Sequence, residues 1–518
     1  MKVKSTFLLI IALLGLLSFA SAQKDTGKSE LMEHIRQQRA EFERYKQGVK
    51  RDFENYRDSI NREYAKFLEQ RWKVFDLQEE EHPIKTPIPE PPVYDSLAPK
   101  REPEKIPVIT SPKPLQLPLP LDETPQPEPQ PEPEPDKPVP DETPQPRPKP
   151  SQYPVKAEFF GASIELKKLS PLSIKPLSGV SEQDVASYWN QLSQQTHEEW
   201  SNEMQRIKTE LNLNDWGMYL LINKLFEVYF PSGVANEQVV FTVFMLNQSG
   251  YRAKIGRNRN ELVPLIAFAN KVHYMYFFRY GEGENEIKYS ALNPRHEDMS
   301  SIRACEIDYP GATLSLDMRI ENMPRLTASS HSKTLNYNQN TCTVNYNKNF
   351  IDFYSTYPCV EFSVYAEAPF DRESLQSIES QIAPDIRNKS QEEAVNLLLH
   401  FVQRYFEYQT DTQQYGHERW LFAEETLASS YSDCEDRSIL FAQLVRRILG
   451  MQVALIYYPG VHLATAVKFD NPQTDGDYVV VDGEKYLICD PTYIGANLGA
   501  AMPKLEKISV EIIKLKMI

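Results

Sequence analysis

The sequence is short of cysteine, of basic charge and of long apolar runs, and each shortage excludes something. There are five cysteines, Cys305, Cys342, Cys359, Cys434 and Cys489, and none forms a CxxC pair, which argues against a structural zinc site. An odd count leaves at least one thiol unpaired in an oxidising compartment. Cys342 and Cys359 stand close enough in the chain to pair across a hairpin, and the connectivity stays open. Lys and Arg number 57 against 72 Asp and Glu, a net charge of -15. That excludes a general nucleic-acid binder, because phosphate attraction needs a basic surface. After the first 20 or so residues no segment is long and apolar enough to cross a bilayer.

The start of the chain has the pattern of an export signal. Lys2 and Lys4 precede an apolar run from Phe7 to Phe19, and Ala20-Ser21-Ala22 offers small residues for cleavage. Residues 1–22 are therefore expected to be a signal peptide, and the mature chain to be periplasmic or extracellular with no membrane span.

Residues 23–80 are expected to be one long amphipathic helix, with its core at 29–77. That core has no proline and a single glycine, Gly48. Phe42, Phe53, Tyr64 and Phe75 recur every 11 residues, as do Tyr45, Tyr56 and Phe67. Such a repeat makes a nearly straight apolar stripe. A lone helix cannot bury it, so self-association, docking on a partner, or folding back on the chain's own domains is implied. Residues 81–155 are proline-rich: positions 83–154 hold 25 of the 39 prolines and no glycine. Proline removes a backbone donor and fixes φ, so this stretch is expected to be a polyproline-II linker reaching on the order of 200 Å if extended.

The expected fold class of the remainder is α+β. Residues 156–385 are predicted to be a mixed domain: helices over 183–211, 216–230 and 236–247, strands over 251–256 and 262–270, and a β-rich part from 272 to 366. Residues 386–518 are predicted to be a separate domain. It has helices at 391–408 and 435–449 and strands near 452–458, 461–469, 477–482 and 484–490. Two stretches share the order helix, glycine, strands: one from Asn236 through Gly250, the other from Cys434 through Gly450. A diverged duplication would explain this, and its first copy has no cysteine or histidine at the corresponding places.

Three residues in the last domain have the types and placement of a nucleophile, base and orienting acid. Cys434 sits at the start of a helix, since Ser432 or Asp433 is a good N-cap and Ile439, Leu440, Leu444, Val445 and Ile448 continue at helical spacing. A helix N-terminus favours a thiolate, but Asp433, Glu435 and Asp436 oppose it, so a cationic partner is required. His462 can supply that partner from a strand in which it shares a face with Ala464 and Ala466; two small residues there would let a helix approach closely. Asp490 ends a later strand, on one face with Tyr486 and Ile488, and would fix the imidazole tautomer. The two separations are equal, 28 residues each. Zinc ligation by the same three residues is disfavoured because it supplies only three ligands.

Cys434 opening a helix, His462 on the second following strand and Asp490 in an Asp-Pro-Thr sequence resemble the transglutaminase-like superfamily of papain-related fold. Trp420 to Leu427 and Leu440 to Arg446 are similar to that family's core as well. The resemblance covers residues 390–495. Asp433 departs from it, since many relatives have a small or apolar residue there. The resemblance implies a domain with a Cys-bearing helix packed on an antiparallel sheet. It implies attack of the thiolate on a peptide or protein amide. The sequence has no clear calcium-ligand run of the kind animal transglutaminases use, and no cofactor or metal is expected. Gln413, Gln414 and Trp420 are the candidate second donors to the oxyanion. Hydrolase and acyltransferase share this triad and are not separated by it. A non-catalytic module that keeps the fold for binding or scaffolding is the alternative.

Overall fold

The computed structural model describes residues 25–79, 103–109, 155–167 and 174–518, apart from 196, 282, 284–285, 293–298 and 506. The expected signal peptide and most of the proline-rich linker lie outside the described residues. The chain forms two compact units, residues 1–66 and 67–518, and its class is mixed α+β with antiparallel sheets. Among the described residues no helix is long and apolar enough to cross a membrane.

The helix α1 runs Asp25–Leu68, and Phe42, Tyr45 and Tyr56 of its repeat are exposed. It stops nine residues short of the expected 77. The indole N–H of Trp72 donates to the Leu68 carbonyl at 2.9 Å, satisfying one of the orphan acceptors of the last turn. The Trp72 backbone N–H donates to Glu182. Phe75, the last member of the repeat, is therefore on a strand, where a sheet ladder wins over helical spacing.

Nine strands come first in the chain: β1 (Lys73–Asp76), β2 (Gln78–Glu79), β3 (Val155–Phe159), β4 (Ala162–Leu166), β5 (Ala253–Asn258), β6 (Glu261–Ile266), β7 (Tyr276–Tyr280), β8 (Ile287–Ala291) and β9 (Ser301–Ala304). β3 and β4 form a hairpin. The other seven make one antiparallel sheet in the order β1-β9-β5-β6-β8-β7-β2. Its two edge strands are consecutive in the chain, joined by Leu77 alone, so the sheet curls back on itself. Phe75, Leu265, Phe278, Tyr289 and Ile302 belong to the cluster it encloses, with Phe75 and Phe278 stacked at 4.3 Å. The helix α2 (Ala235–Gln248) precedes β5 and packs on β6. The expected single helix over 183–211 is two, Glu182–Ser193 and His197–Glu210.

A hairpin follows, β10 (Ser330–Tyr337) with β11 (Asn340–Asn347), and then a helical stretch that includes α3 (Gln391–Tyr405). The expected β-rich region up to 366 thus ends in helix, at Lys348–Tyr354 and Phe362–Glu367. A two-residue parallel pair, β12 (Glu407–Tyr408) with β13 (Tyr431–Ser432), brackets the helix α4 (Ala423–Ala428). The helix α5 (Cys434–Leu444) comes next, with a π-turn at Val445–Leu449 and left-handed Gly450 closing it. Strands β14 (Val453–Tyr458), β15 (His462–Lys468), β16 (Tyr478–Val481), β17 (Glu484–Cys489) and β18 (Glu511–Lys514) form an antiparallel sheet in the order β16-β17-β15-β14-β18.

One piece of the proline-rich stretch is docked and not a free spacer. Residues 103–109 run beside β16 and the segment before β18 through the bridges Lys105–Tyr478 and Val108–Val510. Ile106 is fully buried, and Asp477 accepts the Glu104 N–H at 2.9 Å. Proline still forbids a regular ladder here, so the contact is made of isolated bridges.

These tethers generate a prediction. Phe75→Ala removes a ring from a closed cluster and should destabilise the second unit by about 3 kcal/mol. Phe42→Ala, at an exposed position of the same repeat, should change stability by less than about 0.5 kcal/mol. Urea unfolding of the two variants in dilute solution checks the contrast.

Candidate functional site

Cys434 is the first residue of α5, and every residue of that helix is buried. The helix packs on β15, where the Ser438 hydroxyl donates to the Leu463 carbonyl at 2.9 Å and the Leu463 N–H faces the Cys434 sulfur. The thiol donates to Glu435 Oε2 at 2.9 Å.

His462 opens β15, and its Nε2 lies 2.9 Å from Asp490 Oδ2 in full burial. Asp490 is held on both sides. Its Oδ1 accepts the Thr492 N–H at 2.8 Å, and its carbonyl accepts the Gln403 amide at 3.1 Å. Gln403, on α3, also donates to the carbonyls of Tyr493 and Ala496. With Nε2–H given to the carboxylate, Nδ1 is left as the acceptor nitrogen, and no partner reaches it among the described residues. The structure thus brings His462 and Asp490 together. It sets the sulfur against the residue after His462, with Glu435 as its hydrogen-bond partner. One part of the sequence argument needs correction. Ala464 and Ala466 do not make room for the helix; they pack with Ile106, Tyr493, Met502 and Val510. Burial pushes the Cys489 thiol up. All five cysteines, Cys342 and Cys359 included, are free thiols.

The charge around Cys434 is mostly negative. Burial pushes the thiol well above its ordinary range, and Glu435 and Asp433 push it further, against the pull of the Leu463 N–H. The parallel pair of β12 and β13 brings Asp411 to the same place, where burial and then Asp433 and Asp436 push its carboxyl up to about 10. Burial raises Asp436 to about 7. Glu435 and Asp433 rise well above the usual carboxylate range for the same first reason. Two guanidinium groups answer them. Arg437 donates to the Phe406 carbonyl at 2.7 Å and to the Ser432 hydroxyl at 3.1 Å, and burial brings its pKa down to about 10. Arg419 pairs with Glu425 of α4.

Of the oxyanion candidates, Gln413 and Gln414 are used locally. Gln413 Oε1 accepts the Thr410 N–H at 3.2 Å, and the Gln414 amide donates to the Gln409 carbonyl at 2.9 Å. Trp420 is buried against Phe362 at 4.2 Å, and its indole N–H has no acceptor among the described residues. Leu421, next in the chain, donates its N–H to Asp436 at 2.9 Å, which ties this segment to α5. A cleft of about 390 Å³ is lined by Tyr337, Gln403, Arg404, Phe406, Tyr408, Arg437, Ile494 and Gly495. It borders the site, because Gln403 braces Asp490 and the charge of Arg437 reaches Cys434.

The chain matches no protein-family model, no curated protein and no solved structure. The site rests on its own geometry.

Sequence reasoning missed Asp411 and Glu418. Asp411 opens a short helix, Asp411–Tyr415, and Glu418 lies in the loop after it, and no spacing rule links them to the Asp433-Cys434-Glu435-Asp436 run. It also missed Gln403, a polar residue on the buried side of α3.

The buried acids set a pH dependence. Glu424, on α4, is pushed up to about 7 by burial although the Asp371 N–H donates to it at 2.8 Å. Its pKa is raised on folding, so its contribution is complete below the ordinary value of 4.5 and is lost as pH rises through about 7. Glu424→Gln keeps the acceptor and removes the titration. It should be close to neutral at pH 4.5 and stabilise the protein by roughly 3 kcal/mol at pH 8.5. Denaturant unfolding at the two pH values checks this.

Proposed function

We propose that the chain is an exported, cysteine-dependent hydrolase or acyltransferase acting on peptide or protein amides. Its last part, 386–518, would be a transglutaminase-like catalytic domain. The observation that supports this best is the buried His462–Asp490 pair, with Nδ1 left unpartnered at the strand end where the α5 N-terminus meets the sheet. In this reading the carboxylate holds the imidazole, and Nδ1 takes the thiol proton. The sulfur then forms a C–S bond with the amide carbonyl carbon. The C–N bond breaks as the imidazolium returns that proton to the leaving amine. Water resolving the thioester gives hydrolysis, and a primary amine gives transfer. The Cys434 backbone N–H is one donor to the oxyanion, and the free indole N–H makes Trp420 the best of the three candidates for the second. The thiol is bonded to Glu435 in this structure, so proton transfer to Nδ1 requires it to leave that partner.

One observation favours a second reading, a binding or scaffolding module. Cys434 is fully buried, and its thiol is hydrogen-bonded to a carboxyl group. Residues 73–79 and 103–109 belong to the two sheets, so the test uses the whole mature chain. One assay follows amine release from peptide amides, and another follows incorporation of a labelled primary amine. The expected outcome is turnover in one of them, abolished by Cys434→Ala and lowered roughly 100-fold or more in kcat by Asp490→Asn. Activity that survives Cys434→Ala would overturn the proposal. So would silence in both assays from folded wild-type protein, which is what the scaffold reading expects.

A further inference from the structure

Four buried carboxylate oxygens beside α5 have no hydrogen-bond donor among the described residues: Asp411 Oδ1, both oxygens of Asp433, and Glu435 Oε1. Asp411, Asp433 and Glu435 are at most 1% exposed, so bulk solvent does not reach them. The carboxylates also converge. One oxygen each from Asp411, Glu418 and Glu435 lie within 4.8 Å of one another, and so do oxygens from Asp411, Asp433 and Asp436. Asp411 belongs to both groups.

The remaining oxygens are accounted for. Asp411 Oδ2 accepts the Arg419 N–H at 2.8 Å, Asp436 accepts the N–H groups of Leu421 and Asp433, and Glu435 Oε2 accepts from the thiol. What is left over is all carboxyl oxygen, gathered at one place beside α5. Five carboxyls face two guanidinium groups, and one of those, Arg419, also serves Glu425. An ordinary protein interior does not gather unpaired acceptors of one charge, because each costs about 1–3 kcal/mol or more when buried without a partner.

We propose that Asp411, Asp433 and Glu435, with Glu418 and Asp436 beside them, form a binding site for a hard divalent cation of the calcium, magnesium or manganese class. Hard oxygen donors with no sulfur or imidazole among them select that class over zinc or copper. The cation would supply the positive charge that the unpartnered oxygens lack. It would also tie the Asp411–Glu418 loop to the first turn of α5. This site is independent of whether the chain is an enzyme.

The test uses the full chain, stripped with EDTA and dialysed. It is titrated calorimetrically with CaCl2, and in parallel with MgCl2 and MnCl2. Thermal unfolding is recorded with and without each cation. The expected result is one saturating equivalent of at least one cation, removed by EDTA, with a Tm rise of several degrees at saturation. Asp433→Asn and Glu435→Gln, shown to be folded by circular dichroism, should each weaken binding at least tenfold. No heat and no Tm shift with any of the three up to 10 mM would overturn the site, and that arm needs no variant. Undiminished binding in folded Asp433→Asn would overturn it too. So would an Asp433→Asn chain that gains stability in EDTA while the wild type ignores cations, since protons would then be holding the cluster.

Discussion

A helix buried on every side begins here with a thiol and three charged residues, and that constraint organises the domain around it. Helix α5 has no solvent face, so the side chains of Cys434, Glu435, Asp436 and Arg437 must find every partner inside the protein. The neighbouring elements supply those partners. The parallel pair of β12 and β13 brings Phe406, whose carbonyl takes an Arg437 N–H, and Leu421 gives its N–H to Asp436. The sheet contributes the two main-chain groups of Leu463, one to Ser438 and one to the sulfur. What this region does chemically follows from which of these demands are met and which are left open.

The other sheet shows what a met demand looks like. The unit α2–β5–β6 repeats the order of α5–β14–β15, and it too buries a charge, the Lys254 ammonium on β5. Each Lys254 donor has a partner: its Nζ lies 2.5 Å from Asp308 and donates to the carbonyls of Cys305 and Glu306. The rings of Tyr280 and Tyr289 flank it at 4.9 and 5.4 Å. Around α5 the carboxyls outnumber their guanidinium partners, and four of their oxygens have no donor among the described residues. A structural ion pair needs no more than Lys254 has, so the surplus at α5 is the feature that calls for a functional explanation.

Much of this was legible from periodicity. Apolar spacing from Ile439 to Ile448 marked α5, and alternation of two put Tyr486, Ile488 and Asp490 on one face. The His462–Asp490 pair follows from that alternation once β15 and β17 are neighbours. Where the sequence misled, a non-local ladder overrode a local pattern. Phe75 keeps an 11-residue helical spacing yet pairs with Ile302, and Ile106 sits among prolines yet fills a core. Ala464 and Ala466 were rightly seen as small, but their face meets the C-terminal segment. The acid cluster was only half visible. Its α5 members are contiguous in the chain, whereas Asp411 and Glu418 reach them through a loop whose course no propensity dictates.

Two open demands stand next to each other at α5, and on the proposed reading they are linked. His462 Nδ1 lacks a partner, and Glu435 spends one oxygen on a thiol while its other has none. Transfer of the thiol's hydrogen bond from Glu435 to Nδ1, which the proposed reading requires, would satisfy the imidazole and release a carboxylate oxygen. It would exchange one unmet group for another of similar cost, so neither arrangement is strongly favoured on hydrogen bonding alone. The balance is then set by the field. Negative charge left near the sulfur favours the neutral thiol on Glu435, and positive charge there, from the imidazolium or from Arg437, favours the thiolate. The surplus of carboxyls around α5 thus weighs directly on the state of the nucleophile, and any group that neutralises them shifts Cys434 toward the chemistry proposed for it.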